Sequence, residues 1–408
     1  MDIKQRIWEQ GQQYDSFYLY DEKRIIENTH RLQQDFPLVD FLYSMKTNPA
    51  PAVVRCVCAQ GFGVDAASLN EVKLAVSTGV PAAHILYSAP GKREADIQEA
   101  LGKSTVIADS IAEIMKIQKI AQEKGIIVPI GIRINPDFTF TMDKGMPSKF
   151  GIDEEQVLSL ISQWVQLPNI KIIGIHVHVK SQELQADVLA AYHKKIFQLA
   201  YTIRQALGYA LTFVNMGSGL GIPYSRSDVP LDTARLGRQT AVLIDAYRKK
   251  LAGTKIILET GRYAVGDSGY YVTKVLDRKE SRGKTFIILQ NTLNGFVRPS
   301  LNQLVRHYTD KEHPTMYEPF FTCTDAFPID ALTEEKETEM VTLAGNLCAA
   351  TDVIATDMVL PKLKPGDLIV MNDAGSYAAV MTPMQFSSQE KPQQLFLRKD
   401  GTVVNAME

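Results

Sequence analysis

The chain has 408 residues, of which 45% are apolar and 22% are charged, as in an ordinary globular protein. Its 44 Lys and Arg residues nearly balance its 46 Asp and Glu residues, for a net charge of −2. This balance argues against nucleic acid or an anionic membrane as an obligate partner. No stretch approaches the roughly 20 apolar residues of a membrane helix, and the polar start lacks a signal core. We therefore expect a cytoplasmic protein.

The four cysteines are too few for a disulfide framework in a chain of this length. Cys56 and Cys58 are one residue apart, which is neither the spacing of a redox pair nor that of a zinc site. We therefore expect no metal site.

Short apolar runs recur along the chain after a first strand-like segment at 16–21 (SFYLYD). Eight such runs lie at 40–46, 62–67, 84–89, 105–109, 128–135, 171–179, 211–216 and 255–260. Continuous rather than alternating apolar runs are typical of strands in a parallel sheet that is buried on both faces.

Helical patterns separate these runs. The stretch 68–79 opens with the capping box Ser68 and Glu71, and the stretch 110–125 opens with Ser110 and Glu113. Longer helical stretches lie at 183–207 and 229–252. Eight alternations of strand and helix between residues 40 and 260 favour a (β/α)8 TIM barrel over an open, doubly wound sheet.

The sequence changes character after about residue 265. Short β-rich segments follow, separated by turn motifs such as KPGD and KDG. We predict an α/β protein with two domains. The barrel spans 22–265, and a mostly antiparallel, β-barrel-like domain combines 1–21 with 266–408.

The carboxyl ends of the predicted strands carry polar residues. In chain order these are Lys46, Asp65, Ser88, Asp109, Asn135, His178 with Ser181, the glycine-rich turn 217–221, and Glu259 to Arg262. Active sites of such barrels lie at this end of the strands. Together these residues indicate a site for a phosphorylated ring that carries an aldehyde and a ring nitrogen.

The phosphate part of this hypothesis depends on the glycine turn and Arg262. Gly217, Gly219 and Gly221 follow a strand directly, so their N–H groups can approach a phosphate closely. A tight strand-to-helix turn is the alternative. Arg262 can clamp the same phosphate, or it forms a surface ion pair.

The ring part depends on three other side chains. Glu259 ends an apolar strand and suits a protonated pyridine nitrogen, unless it pairs with Arg262. His178 can stack on a flat ring, although a core histidine, as we expect for His176, is the alternative. Lys46 is either a solvated strand end or the amine that forms a Schiff base with pyridoxal 5'-phosphate (PLP).

Six motifs in fixed order resemble those of the fold-type III, alanine racemase-like PLP decarboxylases. They are YSMKTNP, HVHVKSQ, NMGSGLGIPY, ETGR, GNLCAATD and NDAGSYAAVM, and the similarity covers nearly the whole chain. Diaminopimelate decarboxylases are the most similar familiar members. The resemblance implies a PLP-dependent decarboxylase that removes the α-carboxylate of an amino acid as CO2.

The resemblance also implies roles for residues. Lys46 carries PLP, Glu259 pairs with the pyridine nitrogen and His178 stacks on the ring. The phosphate is surrounded by Ser181, Gly219, Gly261, Arg262 and Tyr377. Arg298 matches a substrate-binding arginine. Cys348 matches a proton donor that reaches the site from the second subunit of a head-to-tail homodimer.

The chain departs from the diaminopimelate decarboxylase pattern where that pattern handles the far end of the substrate. Ala349 replaces an acidic residue and Asn302 replaces a tyrosine. A buried amine without its partner costs about 1–3 kcal/mol or more. Other departures are Lys180, Thr260 and Asn346. We therefore expect a small-molecule substrate other than diaminopimelate, or a conjugated or carrier-bound amino acid.

Two other functions share part of this pattern. A PLP-dependent amino-acid racemase has the same domain plan but needs a second base, and Cys348 with the ETGR and histidine motifs favours decarboxylation. A non-catalytic PLP-binding regulatory protein is the alternative from another class. Retention of Lys46, Glu259 and Arg262 argues against it.

Overall fold

The computed structural model describes residues 2–306, 318 and 320–408. The chain begins with helix α1 (Ile3–Gly11), strand β1 (Ser16–Asp21) and helix α2 (Glu22–Asp35). Eight parallel strands follow: β2 (Asp40–Ser44), β3 (Gly63–Ala66), β4 (Ile85–Ser88), β5 (Thr105–Ala108), β6 (Val128–Asn135), β8 (Ile170–His176), β9 (Phe213–Asn215) and β10 (Lys255–Thr260). A two-residue strand, β7 (Ile152–Asp153), pairs with β6.

The eight strands close into a barrel. They run in the order β5-β4-β3-β2-β10-β9-β8-β6, and β6 pairs back with β5. A small apolar cluster (Leu42, Leu86, Ile107, Phe213 and Ile257) contains one residue from each of five of these strands. The predicted TIM barrel is confirmed.

Helices alternate with the barrel strands. They are α3 (Pro51–Cys58), α4 (Leu69–Ser77), α5 (Glu94–Ala100), α6 (Ile111–Glu123), α7 (Glu154–Trp164), α8 (Ala186–Leu207), α9 (Thr233–Tyr247) and α10 (Arg262–Val265). Ser68 and Ser110 cap α4 and α6 as predicted, each accepting at 3.2 Å from a backbone N–H three residues later. Serine at this position satisfies a backbone donor that has no partner within the helix.

The Glu113 side chain also belongs to a buried ion pair. Its Oε2 lies 2.8 Å from Lys92 Nζ, and both side chains are almost fully buried. Lys92 Nζ also donates to the carbonyl oxygens of Ile107 and Ala89, each at 2.7 Å. Burial lowers the pKa of Lys92, and Glu113 counteracts part of that effect.

We expect Glu113→Gln to destabilise the protein by about 3–5 kcal/mol, because it removes the carboxylate that is directly bonded to the buried Lys92 ammonium. The urea midpoint of unfolding measures this change. Glu123→Gln is the control, since Glu123 forms an exposed pair with Lys119 at 3.7 Å and such pairs contribute about 0–1 kcal/mol. Equal midpoints for the two variants would contradict the prediction.

The remaining strands form a second sheet together with β1. They are β11 (Gly269–Ser281), β12 (Lys284–Leu289), β13 (Ile329–Leu332), β14 (Thr338–Gly345), β15 (Val353–Pro361), β16 (Leu368–Met371), β17 (Gln393–Leu397) and β18 (Val403–Asn405). The pairs β1–β17 and β12–β14 are parallel, and the other pairs in this sheet are antiparallel. The mostly antiparallel second sheet is therefore confirmed, and β1 lies between β11 and β17. One further helix, α11 (Val297–Arg306), precedes β13.

Two predicted strand ends need correction. The strand predicted at 40–46 stops at Ser44, and Met45–Thr47 forms one 3-10 turn. The strand predicted at 171–179 stops at His176. Lys46 and His178 therefore lie just beyond their strands, where the backbone has left the sheet.

Among the described residues, no helix is both long and apolar enough to cross a bilayer.

Candidate active site

Lys46 lies at the carboxyl end of the barrel, on the turn that follows β2. Its side chain is in contact with solvent. The surrounding protein nevertheless excludes enough water from the ammonium group to affect its pKa. Burial lowers the pKa of Lys46, whereas Tyr377, Asp65 and Glu259 raise it, and the pKa is raised overall. The amine thus lies among acidic side chains in the barrel mouth.

Glu259, at the end of β10, is almost completely buried. Its Oε1 accepts a hydrogen bond from Asn215 Nδ2 at 2.7 Å and lies 3.2 Å from His176 Nε2. Burial lowers the pKa of His176 well below its usual value, and Arg133 lowers it further, so the ring is neutral. Glu259 therefore bonds to Asn215 and lies beside the neutral His176 ring rather than pairing with Arg262.

A second buried carboxylate, Asp65, lies near Lys46 at the end of β3. It accepts a hydrogen bond from Ser88 Oγ at the end of β4. Burial raises the pKa of Asp65 to about 6, Glu259 adds to that rise, and Lys46 opposes it. Lys46 therefore counteracts part of the rise in the pKa of Asp65.

His178 lies half-buried beside the glycine-rich turn that follows β9. Its Nδ1 accepts a hydrogen bond from the backbone N–H of Ser218 at 3.2 Å. Burial lowers the pKa of His178 well below its usual value, and Lys46 and Arg133 lower it further. The neutral ring therefore carries its proton on Nε2, and its orientation is fixed by the glycine turn.

The glycine turn brings backbone groups close to His178. Gly217 has φ +69°, and a Cβ there would collide with the Val177 carbonyl oxygen and lie 2.7 Å from His178 Cβ. The loop after β8 holds the turn, because Glu183 N–H donates to the Gly219 carbonyl at 2.8 Å. Ser181 lies half-buried in this same loop.

A loop of the second sheet docks onto the Lys46 turn. The backbone N–H of Tyr377 donates to the Thr47 carbonyl at 2.9 Å, and Asn48 Nδ2 donates to the Gly375 carbonyl at 3.0 Å. A Cβ on Gly261 would collide with Thr47. The close packing brings Gly261, Tyr377 and the Lys46 turn together.

Arg262 and Arg298 pack against this loop, and both are buried. Arg262 Nη1 donates to Tyr224 Oη at 2.8 Å, and Arg262 Nη2 contacts the Glu318 carboxylate. Arg298 Nη2 donates to Thr322 Oγ1 at 2.8 Å and lies 3.7 Å from Glu318 Oε1. The Arg262 guanidinium also lies 5.0 Å from the ring centroid of Tyr377.

Cys348 lies elsewhere, on the exposed turn between β14 and β15. Asp352 holds this turn: its Oδ2 accepts from Leu347 N–H and its Oδ1 from Leu293 N–H, each at 3.0 Å. No hydrogen bond in the described part of the chain joins Cys348 to the barrel mouth. The structure thus groups Lys46, Glu259, His178, Tyr377 and Arg262, and it leaves the thiol on an exposed turn.

A cavity of about 330 Å³ opens beside His178. Its walls include Phe138, Phe140, Met142 and Phe150, which lie in the long loop after β6 and at its end. Asn135, Thr139 and Lys180 also line it, so this loop gives the barrel mouth a side chamber of mixed polarity.

Sequence reasoning missed three residues of this region. Arg133 is a buried cation in β6 whose Nη1 lies 3.8 Å from Asp109 Oδ1. A charge inside the apolar run VPIGIRIN was the available signal. Asn215 ends β9 as a polar residue after an apolar run. Glu318 belongs to no motif, so the sequence held no signal for its contact with Arg262.

Comparisons with known proteins bear on this site. The model for the pyridoxal-binding domain of the pyridoxal-dependent decarboxylases matches residues 22–266. A Niallia circulans protein named L-glutamyl-[BtrI acyl-carrier protein] decarboxylase is 30% identical over 394 residues, covering 95% of this chain and 89% of that protein. Diaminopimelate decarboxylase of Methanothermobacter thermautotrophicus is 28% identical, covering 94% and 86%.

A solved structure shows the same architecture. Diaminopimelate decarboxylase from Helicobacter pylori, complexed with L-lysine, superposes with a TM-score of 0.81 at 26% identity. The match covers 96% of this chain and 93% of that one.

Proposed function

This chain belongs to the pyridoxal-dependent decarboxylases, and from that premise we propose that it removes the α-carboxylate of an amino acid with PLP as cofactor. The observation that carries the proposal is the convergence of Lys46, Glu259 and the glycine turn beside His178 in one barrel mouth. When bound, PLP supplies an electron sink for the carbanion that loss of CO2 creates.

The residues present fit such a cofactor. The mouth contains buried polar atoms that have no hydrogen-bond partner among the described residues, namely Asp65 Oδ2, Thr260 Oγ1, Arg262 Nε and Ser44 Oγ. Buried polar groups normally find partners, so these atoms indicate a polar ligand. Within the glycine turn, the N–H groups of Gly217 and Ser218 donate to Asn215 Oδ1 and His178 Nδ1, so Gly219 is the glycine of the turn that we assign to the phosphate.

We propose the following roles. Lys46 binds the cofactor aldehyde, Glu259 stabilises the protonated ring nitrogen and the neutral His178 ring packs on one face. The phosphate is held by Ser181, Gly219, Gly261, Arg262 and Tyr377, and Arg298 lies toward the substrate. The hydrogen bonds of Asn215 to Glu259 and of Ser218 to His178 support this proposal, because they fix both groups before the cofactor binds.

We further propose that the protein works as a head-to-tail homodimer in which Cys348 of one subunit donates a proton in the site of the other. The exposed position of Cys348, on a turn that is hydrogen-bonded to Asp352, supports this arrangement. The division into a barrel domain (22–265) and a β domain (1–21 with 266–408) belongs to the same proposal. The cytoplasmic location stays a prediction from composition.

The substrate is proposed to be a small amino acid whose far end differs from that of diaminopimelate, or a conjugate of one. Asn302 is almost fully buried and donates to the Ala326 carbonyl at 3.4 Å, so its amide N–H is turned toward the protein. The carrier-linked substrate named for the Niallia circulans relative supports a conjugate. The chamber beside His178 offers room for one.

An absorbance spectrum of the purified protein, followed by CO2 release from a panel of amino acids, tests the proposal. The panel contains meso-diaminopimelate, lysine, ornithine, arginine, glutamate and anionic conjugates of these. We expect a visible cofactor band and release of CO2 from a member other than diaminopimelate. Efficient turnover of diaminopimelate would show that Ala349 and Asn302 are tolerated. A colourless protein that PLP cannot reconstitute would refute the cofactor assignment.

A further inference from the structure

A layer of buried polar side chains lies inside the barrel, on the carboxyl side of the small apolar cluster. Each of the eight barrel strands contributes one residue to this polar layer, at or near its carboxyl end: Ser44, Asp65, Ser88, Asp109, Arg133, His176, Asn215 and Glu259. On five strands this residue follows the member of the apolar cluster by two positions, so both face the barrel interior. The polar layer is therefore the floor of the mouth that contains Lys46.

Asn215 is the member of the polar layer that bonds to two parts of the site at once. It is completely buried. Its Nδ2 donates to Glu259 Oε1 at 2.7 Å, and its Oδ1 accepts from the Gly217 N–H at 2.9 Å. The Glu259 N–H in turn donates to the Gly217 carbonyl at 2.8 Å. Three hydrogen bonds thus connect these three residues in a closed ring, and a displacement of one disturbs the other two.

The glycine turn extends this constraint to His178. Gly217 has φ +69° and directly precedes Ser218, whose N–H donates to His178 Nδ1 at 3.2 Å. A shift of the turn at Gly217 would move this donor as well. The Asn215 amide therefore fixes both the Glu259 carboxylate and the turn that orients His178.

The amide of Asn215 leaves the negative charge of Glu259 in place. A neutral N–H donor favours the ionised form of a carboxylate, and unlike a cationic side chain it does not neutralise that charge. His176 Nε2 lies 3.2 Å from the same oxygen, but the ring is neutral and its nitrogens have no hydrogen-bond partner. In the described part of the chain, Asn215 is the one side chain that donates a hydrogen bond to Glu259.

We propose that Asn215 is a positioning residue that couples recognition of the cofactor's ring nitrogen to recognition of its phosphate. It aligns Glu259 for the ring nitrogen, and it fixes the glycine turn that contains Gly219. The inference rests on the proposed function, because that function assigns these roles to Glu259 and Gly219. It adds that the two groups act as one unit, joined by a single amide.

The first test uses holoenzyme loaded with PLP that carries nitrogen-15 in its ring. The NMR chemical shift of this nitrogen reports whether it is protonated, and no turnover is needed. Wild type should show a protonated nitrogen. Asn215→Leu has a similar volume but no hydrogen-bonding group, so Glu259 loses its donor and its neutral form becomes more favourable. The signal should therefore move toward that of the unprotonated nitrogen.

Asn28→Leu is the matched control. Asn28 is also buried and donates to a carboxylate, Asp267 Oδ1, at 2.6 Å, but this pair joins α2 to the turn after α10, outside the polar layer. Its loss should lower the melting temperature without moving the ring-nitrogen signal. An identical signal in wild type and both variants would overturn the role of Asn215 at Glu259. Asn215→Ala, which adds no bulk, replaces Asn215→Leu if the latter does not fold.

The second test compares the affinities of the full-length apoprotein for PLP and for pyridoxal, which lacks the phosphate. The affinities are read from the visible absorbance, and their ratio measures the contribution of the phosphate. This ratio should fall by about tenfold in Asn215→Leu. It should stay near the wild-type value in Asn28→Leu and in Asn215→Asp, which keeps an acceptor for the Gly217 N–H.

The outcomes separate the inference from the proposed function. A wild-type ratio in Asn215→Leu would overturn the coupling, even if the ring-nitrogen signal moved. A wild-type protein that binds neither PLP nor pyridoxal would instead overturn the proposed function, and the inference with it.

Discussion

Lys46→Ala is expected to abolish the visible absorbance of covalently bound PLP and to lower CO2 release by about a thousandfold or more. The physical reason is that no other group at this position can form the bond to the cofactor aldehyde. The pKa of Lys46 is raised, since Tyr377, Asp65 and Glu259 outweigh the effect of burial.

The matched control for this prediction is Lys180→Ala. Lys180 lies in the loop after His178, and its Nζ is 3.3 Å from Glu183 Oε2. The visible absorbance band should be present in wild type and in Lys180→Ala. Borohydride reduction followed by peptide mapping should locate the reduced cofactor on Lys46 in both proteins. Persistence of the band in Lys46→Ala would mean that another lysine holds the cofactor.

Lys46→Ala should also change the stability of the protein without its cofactor. Removing the ammonium leaves Asp65 and Glu259 near each other without their shared cation. Burial already raises the pKa of Asp65 to about 6, and Lys46 acts against that rise. The pKa of Asp65 should therefore rise further in Lys46→Ala. Because the folded state then binds this proton more tightly than the unfolded state, the free energy of unfolding should fall as the pH increases through the pKa of Asp65.

The barrel was predictable because each strand is a continuous apolar run bounded by polar residues. Strand β10 (Lys255–Thr260) matches its predicted run, and β6 (Val128–Asn135) does so as well. Strand β15 (Val353–Pro361) was not predicted, because Thr356 and Asp357 interrupt its apolar pattern. Helix α2 (Glu22–Asp35) was missed although its apolar residues recur at helical spacing.

The site was predictable where chemistry and position coincide in a short motif. Lys46, His178 and Glu259 each follow or end an apolar run, so the barrel fold alone places them at one mouth. The contact of Glu318 with Arg262 joins residues 56 positions apart in the sequence. Such a contact depends on how a loop of the second sheet packs, which no local pattern encodes.

Cys348→Ala is expected to keep the cofactor absorbance and to lose product formation by about a hundredfold or more, which is the size typical of removing a general acid. Cys58→Ala is the control, because Cys58 lies half-buried on α3. Unchanged turnover in Cys348→Ala would refute the acid assignment. The thiol sits on a turn fixed by Asp352, so the substitution should leave the fold intact.

A mixing experiment shows which subunit supplies the thiol. If Cys348 acts across a dimer, a hybrid of Lys46→Ala and Cys348→Ala subunits contains one site with both residues intact. Random exchange at equal amounts makes half of the dimers hybrids, so about a quarter of wild-type activity should return. If Cys348 acted in its own chain, every site in the hybrid would lack one residue and no activity would return. The exposed position of Cys348, without a hydrogen bond to the mouth among the described residues, favours recovery.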